Sequence, residues 1–122
     1  MNMLNGVVVV ALAAALSGVA QAATLYTPPL VPQGGRDLNC NVVNVSATAK
    51  TLRIQLLNLS GGIVKDSNDI VLAPGEVGFD FADGSEGPLY CKFTVNGAKT
   101  TVRTSSCVFE AGVGCIAVVQ GE

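Results

Sequence analysis

Residues 38–42, Leu-Asn-Cys-Asn-Val, and residues 89–95, Leu-Tyr-Cys-Lys-Phe-Thr-Val, set the architecture of this chain. In both stretches apolar and polar residues alternate, as they do in a β-strand with one buried face and one solvated face. The alternation places Cys40 and Cys91 on the apolar side of their strands. Two inward cysteines on different strands can meet across the core of a small sandwich. We therefore predict a Cys40–Cys91 disulfide that joins two layers of strands.

The chain beyond residue 22 shows the same short-period pattern and almost no helical period. Its alternating runs end at Gly, Pro, Asn or Asp, which indicates an all-β protein. Strands or extended segments are predicted at 24–30, 37–45, 50–59, 63–65, 70–72, 76–81, 89–95, 99–108 and 116–119. The Leu56-Leu57 step interrupts the alternation, so a β-bulge or a strand covered on both faces is expected there. Seven or eight short antiparallel strands predict a two-sheet antiparallel β-sandwich stapled by disulfides.

Two further details of the strands follow from local pattern. In the strand predicted at 76–81, we expect Val77, Phe79 and Phe81 to point into the core and Gly78 and Asp80 to lie on the outward face.

The dipeptide Asn96-Gly97 is the strongest turn signal in the chain and predicts a two-residue type I′ hairpin. In that hairpin Tyr90 would face Arg103.

The first 22 residues have the pattern of a secretory signal. Residues 7–16 are ten apolar residues in succession, which is too short a run to span a bilayer. Ala20-Gln21-Ala22 matches an A-x-A cleavage site, although no Lys or Arg precedes Val7. We predict a signal peptide at 1–22, cleaved after Ala22, and a single β-sandwich domain at 23–122 that is secreted or periplasmic, without a membrane span after cleavage. The alternative is an uncleaved anchor.

Four cysteines in an exported protein are expected to form two disulfides. Besides Cys40–Cys91 we favour Cys107–Cys115, which closes a nine-residue loop. The pairing Cys40–Cys107 with Cys91–Cys115 stays open, because a bulge would change the parity of Cys107. Zinc is disfavoured, since structural zinc sites use short paired spacings such as CxxC and this chain has none.

The composition excludes several kinds of chemistry. The chain has no His, so it lacks Ser-His and Cys-His nucleophile pairs and an imidazole base. Seven Lys and Arg against nine Asp and Glu give a net charge of −2, so a basic nucleic-acid footprint is absent. We therefore expect neither catalysis nor a cofactor.

Two resemblances add to this interpretation. A sandwich with one cross-core cysteine pair resembles an immunoglobulin-like domain in architecture only, since the chain has no Trp and has Leu89 where a tyrosine corner would place Tyr. The runs 23–30, 38–46, 72–76 and 90–97, with Val102-Arg103, resemble small secreted bacterial proteins of unassigned function. That resemblance implies export and a bacterial source, and it supplies no active site.

Three candidate sites remain. On the outer face of the predicted hairpin, Tyr90, Lys92, Thr101 and Arg103 would place an aromatic ring beside two cations, which suits an acidic partner. Cross-strand pairing on a solvated sheet explains the same residues more simply.

The loop 107–115, tied by its disulfide, resembles the rigid exposed loops of secreted inhibitors and adhesins, with Phe109 and Glu110 as contact residues. A stapled Gly-rich turn is the simpler alternative.

Asp80, Asp83 and Glu86 supply three carboxylates for a weak calcium site, although their spacing does not match an EF-hand. A solvated turn accounts for them equally well. Two N-glycosylation sequons, Asn44-Val45-Ser46 and Asn58-Leu59-Ser60, are interpreted as chance.

We expect a non-enzymatic binding or structural module with an unknown protein or envelope partner. The alternatives are a secreted protease inhibitor that uses the 107–115 loop, a calcium-dependent adhesion domain, and a pilin-like subunit completed by a donor strand.

Overall fold

The computed structural model describes residues 22–122, without the side chain of Glu86, so the predicted signal up to residue 21 lies outside the described residues. Eight strands follow one another: β1 (Ala22–Tyr26), β2 (Asp37–Asn44), β3 (Lys50–Asn58), β4 (Ile63–Leu72), β5 (Val77–Asp83), β6 (Leu89–Asn96), β7 (Val102–Glu110) and β8 (Gly114–Gln120). Single 3₁₀ turns lie at Gly84–Glu86 and Lys99–Thr101. Within residues 22–122 no helix has the length and apolar character needed to cross a membrane.

The strands form two four-stranded sheets. Sheet A has the order β1-β6-β3-β4 and sheet B the order β5-β2-β7-β8, and every neighbouring pair is antiparallel. The predicted all-β, two-sheet antiparallel sandwich is confirmed. Strands β1 and β4 are the edges of sheet A, and β5 and β8 are the edges of sheet B.

The core lies between the inner faces of the two sheets. The residues predicted to point inward on β2, β3 and β6 are each at most 1% exposed: Leu38, Cys40, Val42, Leu52, Ile54, Leu56, Leu89, Cys91, Phe93 and Val95. Cys40 and Cys91 join β2 to β6 through this core, with Cα atoms 5.8 Å apart. Cys107 and Cys115 join β7 to β8, so the favoured pairing is confirmed and the alternative is not formed.

The irregular strand pair β3–β4 confirms the expected bulge. Its register shifts at Leu56/Leu57, where both leucines are buried, and again between Arg53 and Gln55. Opposite the second shift the Asp66 carboxylate accepts hydrogen bonds from Arg53 Nε (2.8 Å) and Gln55 Nε2 (3.1 Å). The segments predicted at 63–65 and 70–72 are thus one continuous strand that bends at this point.

The predicted hairpin at Asn96-Gly97 is wrong. Strand β6 belongs to sheet A and β7 to sheet B, and the chain crosses between them through Gly97 (φ 136°) and the following 3₁₀ turn. The Asn-Gly signal reports only local turn chemistry. Strand β7 instead pairs with β2 over a long sequence distance, with Asn44 opposite Val102 and Asn39 opposite Cys107.

The predicted orientation of β5 is also wrong. Its register with β2 sets Gly78 opposite Val42 on the buried side, so Val77 and Phe79 point outward and are each 61% exposed. The core under Gly78 is filled from β4, since a Cβ added at Gly78 would lie 3.0 Å from Ile70 Cδ1. A larger residue at this inward position would require Ile70 and Leu72 to shift, whereas glycine fits without displacing them.

One flank of the sandwich is closed by main-chain hydrogen bonds. Beyond β8, Gly121 N donates to Thr104 O (2.9 Å), and Glu122 exchanges two hydrogen bonds of 2.9 Å with Tyr26 of β1. A Cβ at Gly121 would lie 2.0 Å from Thr104 Oγ1, so a larger residue at this crossing would require the Thr104 side chain to move. The C-terminal residues thereby tie sheet B to the edge of sheet A.

A buried asparagine organises the loops at one end of the sandwich. Asn44 is 0% exposed, and its Nδ2 donates to Thr48 O (2.8 Å) and Leu72 O (2.9 Å). Its Oδ1 accepts from the backbone N–H and the hydroxyl of Ser46. The Asn44 side chain thus forms hydrogen bonds with the backbone of the β2–β3 loop and with the backbone at the end of β4.

We predict that Asn44→Ala lowers the free energy of unfolding by about 3 kcal/mol, because the buried Leu72 carbonyl loses its side-chain donor and the Ser46 N–H loses its acceptor. The matched control is Asn58→Ala, whose Oδ1 accepts from Ser60 N and Gly62 N in an exposed turn and whose loss costs about 1 kcal/mol. Urea unfolding of the oxidised protein measures both. Equal losses would contradict the organising role of Asn44.

A second prediction concerns pH. The hydrogen bonds from the Arg53 guanidinium hold the pKa of Asp66 well below its usual range. A lowered folded-state pKa stabilises the fold above about pH 4, and that stabilisation is lost as pH falls through the lowered pKa. Asp66→Asn should therefore cost about 1 kcal/mol at pH 7, a value reduced by the partial exposure of the pair, and progressively less below pH 4. Asn58→Ala, which changes no ionisable group and whose hydrogen bonds lie in a separate turn, is the control and should cost the same at both pH values.

Candidate binding surface

The outer face of sheet B presents three rows of side chains set by the strand registers. Residues that lie opposite one another on β5, β2, β7 and β8 form a first row of Val77, Val43 and Arg103, a second row of Phe79, Asn41, Ser105 and Gln120, and a third row of Phe81, Asn39, Cys107 and Val118. Phe79 is 61% exposed and Phe81 46% exposed. Large apolar side chains gathered on one exposed face indicate an interaction surface.

The charge on this face lies at its ends. The second and third rows contain no ionisable side chain, Arg103 stands in the first row, and Asp37 and Asp83 pair beyond the third row. The Arg103 guanidinium donates to the carbonyls of Thr100 (3.4 Å) and Val102 (3.2 Å). The centre of the face is therefore neutral, with amide and hydroxyl groups next to two phenyl rings.

A cleft of about 830 Å³ crosses the first two rows. Outer-face side chains of β2, β7 and β8 line it, and it is bounded by the Lys99–Thr101 turn and by Gly121 and Glu122. Thr104, which is 6% exposed and whose Oγ1 has no hydrogen-bond partner, also lines it. The cleft combines valine side chains with amide, hydroxyl and guanidinium groups, a composition that suits a mixed apolar and polar partner.

The disulfide-tied loop 107–115 lies at the far end of the same sheet. Phe109 and Glu110, its predicted contact residues, are half-buried, and Glu110 lies 3.5 Å from the Arg36 guanidinium. The most exposed large side chain of the loop is Val113, at 69%. The loop thus presents an apolar tip, and its acidic residue, Glu110, forms an ion pair with Arg36 at the base.

The expected cluster of Tyr90, Lys92 and Arg103 does not form, because β6 and β7 lie in different sheets. Tyr90 instead lies on the outer face of sheet A, with its ring centroid 6.3 Å from that of Tyr26. Lys92 is opposite Tyr26 on one side and Gln55 on the other. The predicted arrangement of these residues on one hairpin face is therefore wrong, and partner binding by Tyr90, Lys92 or Arg103 stays a prediction.

Among the carboxylates of the predicted calcium site, Asp80 and Asp83 lie on opposite faces of β5, since they are three residues apart on one strand. Asp80 Oδ1 accepts the backbone N–H of Phe81 at 2.9 Å. The hydroxyl and backbone N–H of Ser85 hold the pKa of Asp83 below its usual value. In the described part of the chain no group of three or more His, Cys, Asp or Glu is placed to hold a metal ion. The side chain of Glu86 lies outside it, so calcium binding stays a prediction.

Sequence reasoning missed the surface on sheet B because it placed Val77, Phe79 and Phe81 in the core. One signal pointed the other way. Gly78 lies between the apolar residues, and glycine inside a strand often marks a close approach by another segment.

No protein-family model and no curated protein matches the chain. Its structure is similar to the crystal structure of Thermotoga maritima 1070, with a TM-score of 0.51 and 12% sequence identity over 80% of this chain and 90% of that one. At this identity the similarity concerns the fold alone.

We predict that Phe79→Thr leaves the free energy of unfolding within about 0.5 kcal/mol of the wild-type value, because an exposed side chain is replaced by one that also favours strands. Gly78→Val should cost about 1–3 kcal/mol, because its side chain would collide with Ile70 and Leu72. Urea unfolding measures both. A loss of several kcal/mol for Phe79→Thr, as for a core phenylalanine, would reverse the orientation of β5.

Proposed function

We propose that the chain is an exported, non-enzymatic binding or structural module of the bacterial exterior or periplasm. The observation that carries the proposal is the outer face of sheet B, where the exposed side chains of Val77, Phe79 and Phe81 adjoin neutral amide and hydroxyl rows. A partner that covered this face would bury two phenyl rings, which are side chains enriched in interfaces.

Export is supported by the cysteines and by the first 22 residues. All four cysteines form disulfides, a state that persists in oxidising compartments. The A-x-A site ends at Ala22, which is the first residue of β1, so cleavage after it would remove one residue from that edge strand and leave the rest of the sandwich intact. These features support export, and the proposed bacterial source rests on the resemblance of runs such as 38–46 and 90–97 to small secreted bacterial proteins.

Binding is favoured over catalysis by the available groups. The chain lacks His, the commonest general base, and the exposed face of sheet B offers amides, hydroxyls and aromatic rings. Such groups recognise a surface by shape and hydrogen bonding.

An immunoglobulin-like relationship is also part of the proposal, and the central strands support it. The cross-core disulfide joins β2 to β6, while β2 pairs with β5 and β3 pairs with β6, as strands B, E, C and F do in immunoglobulin domains. The outer strands differ, since β1 lies beside β6 and β7 lies beside β2.

The tied loop supports a second candidate, a secreted protease inhibitor. Val113 stands at its tip, and the Cys107–Cys115 disulfide fixes the base, so presenting this loop to a protease would cost little ordering entropy.

We expect the mass of the exported protein to match residues 23–122 with two disulfides, and the oxidised protein to bind envelope fragments of its own source. The double variant Phe79→Thr/Phe81→Thr should lose at least tenfold in affinity, while Val71→Thr, at a 66% exposed site on β4, keeps it. Surface plasmon resonance against immobilised fragments measures this. An equal loss in both variants, or retention in both, would remove the face of sheet B from the proposal. If Val113→Asp is the variant that loses affinity and the others keep it, the binding site is the disulfide-tied loop 107–115 instead.

A further inference from the structure

Strand β5 is an edge strand whose backbone groups are directed alternately. Asn44 N donates to Glu76 O (3.1 Å), so the backbone groups of even-numbered residues face β2. By the alternation of an antiparallel ladder, Val77, Phe79 and Phe81 direct theirs to the open edge. The Phe81 N–H agrees with this direction, because it donates to the side chain of Asp80. The edge therefore offers the N–H and C=O groups of Val77 and Phe79, together with the Phe81 carbonyl, to another strand.

We propose that two copies of this chain associate by antiparallel pairing of β5 with β5, which joins the two sheets B into one eight-stranded sheet. In this register Phe79 lies opposite the Phe79 of the second copy, and Val77 lies opposite its Phe81. The exposed apolar side chains then meet on one face as aromatic and aromatic–aliphatic cross-strand pairs, which stabilise antiparallel sheets. On the other face Gly78 lies opposite Asp80, so the smallest residue meets a larger one.

The occupant is a second copy of the chain, because β5 complements itself in this register but not when the register shifts by one step in either direction. With Phe79 opposite itself, Glu76 faces Ala82 and no two acidic residues are directly opposite. A shift one way sets Asp80 opposite Asp80, and a shift the other way sets Asp80 opposite Glu76. Both shifts are disfavoured, since like charges directly opposite destabilise a strand pair.

Positive charge also lies close to this edge. Lys65 on β4 places its Nζ 5.9 Å from the centroid of the Phe81 ring. In the proposed register the two Asp80 carboxylates lie diagonally across the interface, and the ammonium adds positive charge at the same edge.

This inference goes beyond the proposed function and concerns the folded chain alone. The test of self-association needs no envelope partner, so the self-association proposal and the proposed function can each fail without the other.

The test is site-specific disulfide cross-linking of the oxidised protein. Directly opposed residues of a hydrogen-bonded antiparallel pair have Cα atoms about 5.5 Å apart, which is within the range that a disulfide spans. Phe79→Cys alone should therefore form a covalent dimer, whereas Val77→Cys and Phe81→Cys should cross-link only when mixed. Val71→Cys on β4 and Val118→Cys on β8 are exposed controls that should stay monomeric. Non-reducing gel electrophoresis with peptide mapping identifies the linked residues.

Sedimentation equilibrium gives the independent measurement. The wild-type protein should self-associate, Phe79→Lys should weaken the association at least tenfold, and Val71→Lys should leave it unchanged. The proposal is overturned if the wild-type protein is monomeric at every concentration, if Phe79→Cys cross-links no more than Val71→Cys, or if the covalent dimer forms through Val118 instead.

Discussion

The disulfide between Cys40 and Cys91 is the constraint on which the rest of the structure depends. Each cysteine lies on an interior strand of its sheet, so the bond fixes how sheet A stacks on sheet B. In the chain-entropy model, closing the loop between the two residues stabilises the fold by about 4 kcal/mol. Because side chains alternate along a strand, fixing one inward residue also fixes every second neighbour, which is why Leu38, Val42 and Phe93 are buried with the cysteines.

The strands that carry these cysteines could be predicted from sequence, together with β3, because each has one buried face that alternates cleanly. The bulge at Leu56-Leu57 could be predicted because the alternation breaks there, and the Cys40–Cys91 pairing because both residues lie on the apolar side of their strands. From sequence the Cys107–Cys115 pairing is favoured as a short loop closure, and its alternative stays open because the parity of Cys107 depends on a bulge. Two predictions failed where long-range pairing overrides local pattern. The Asn96-Gly97 turn sends β7 to the opposite sheet, where it pairs with β2. On β5 the alternation is present, but side chains from β4 occupy the core and turn the phenylalanines outward.

The candidate surface was hidden from sequence reasoning by that second failure. A strand with an apolar residue at every other position is compatible with either orientation, and composition alone favours the buried one. The orientation of β5 is reversed because Ile70 and Leu72 fill the core beneath Gly78, and this packing cannot be read from the pattern of β5 itself. The asparagines of the two sequons show the same limit. Asn44 and Asn58 each accept hydrogen bonds from the serine two residues later, so in this fold the N-x-S pattern builds turns at strand ends.

The two flanks of the sandwich are held in different ways. At the flank of β1 and β8, main-chain bonds through Glu122 and Tyr26 cross from one sheet to the other. At the flank of β4 and β5, Ile70 and Leu72 pack beneath Gly78, and the Asn44 side chain of β2 donates a hydrogen bond to Leu72 O of β4. The two flanks therefore differ in the groups that hold them, with main-chain hydrogen bonds at one and side-chain contacts at the other. A substitution can remove the side chain of Asn44 or Ile70 and so loosen the second flank, whereas the main-chain bonds of the first flank stay available to any residue other than proline at positions 26 and 122.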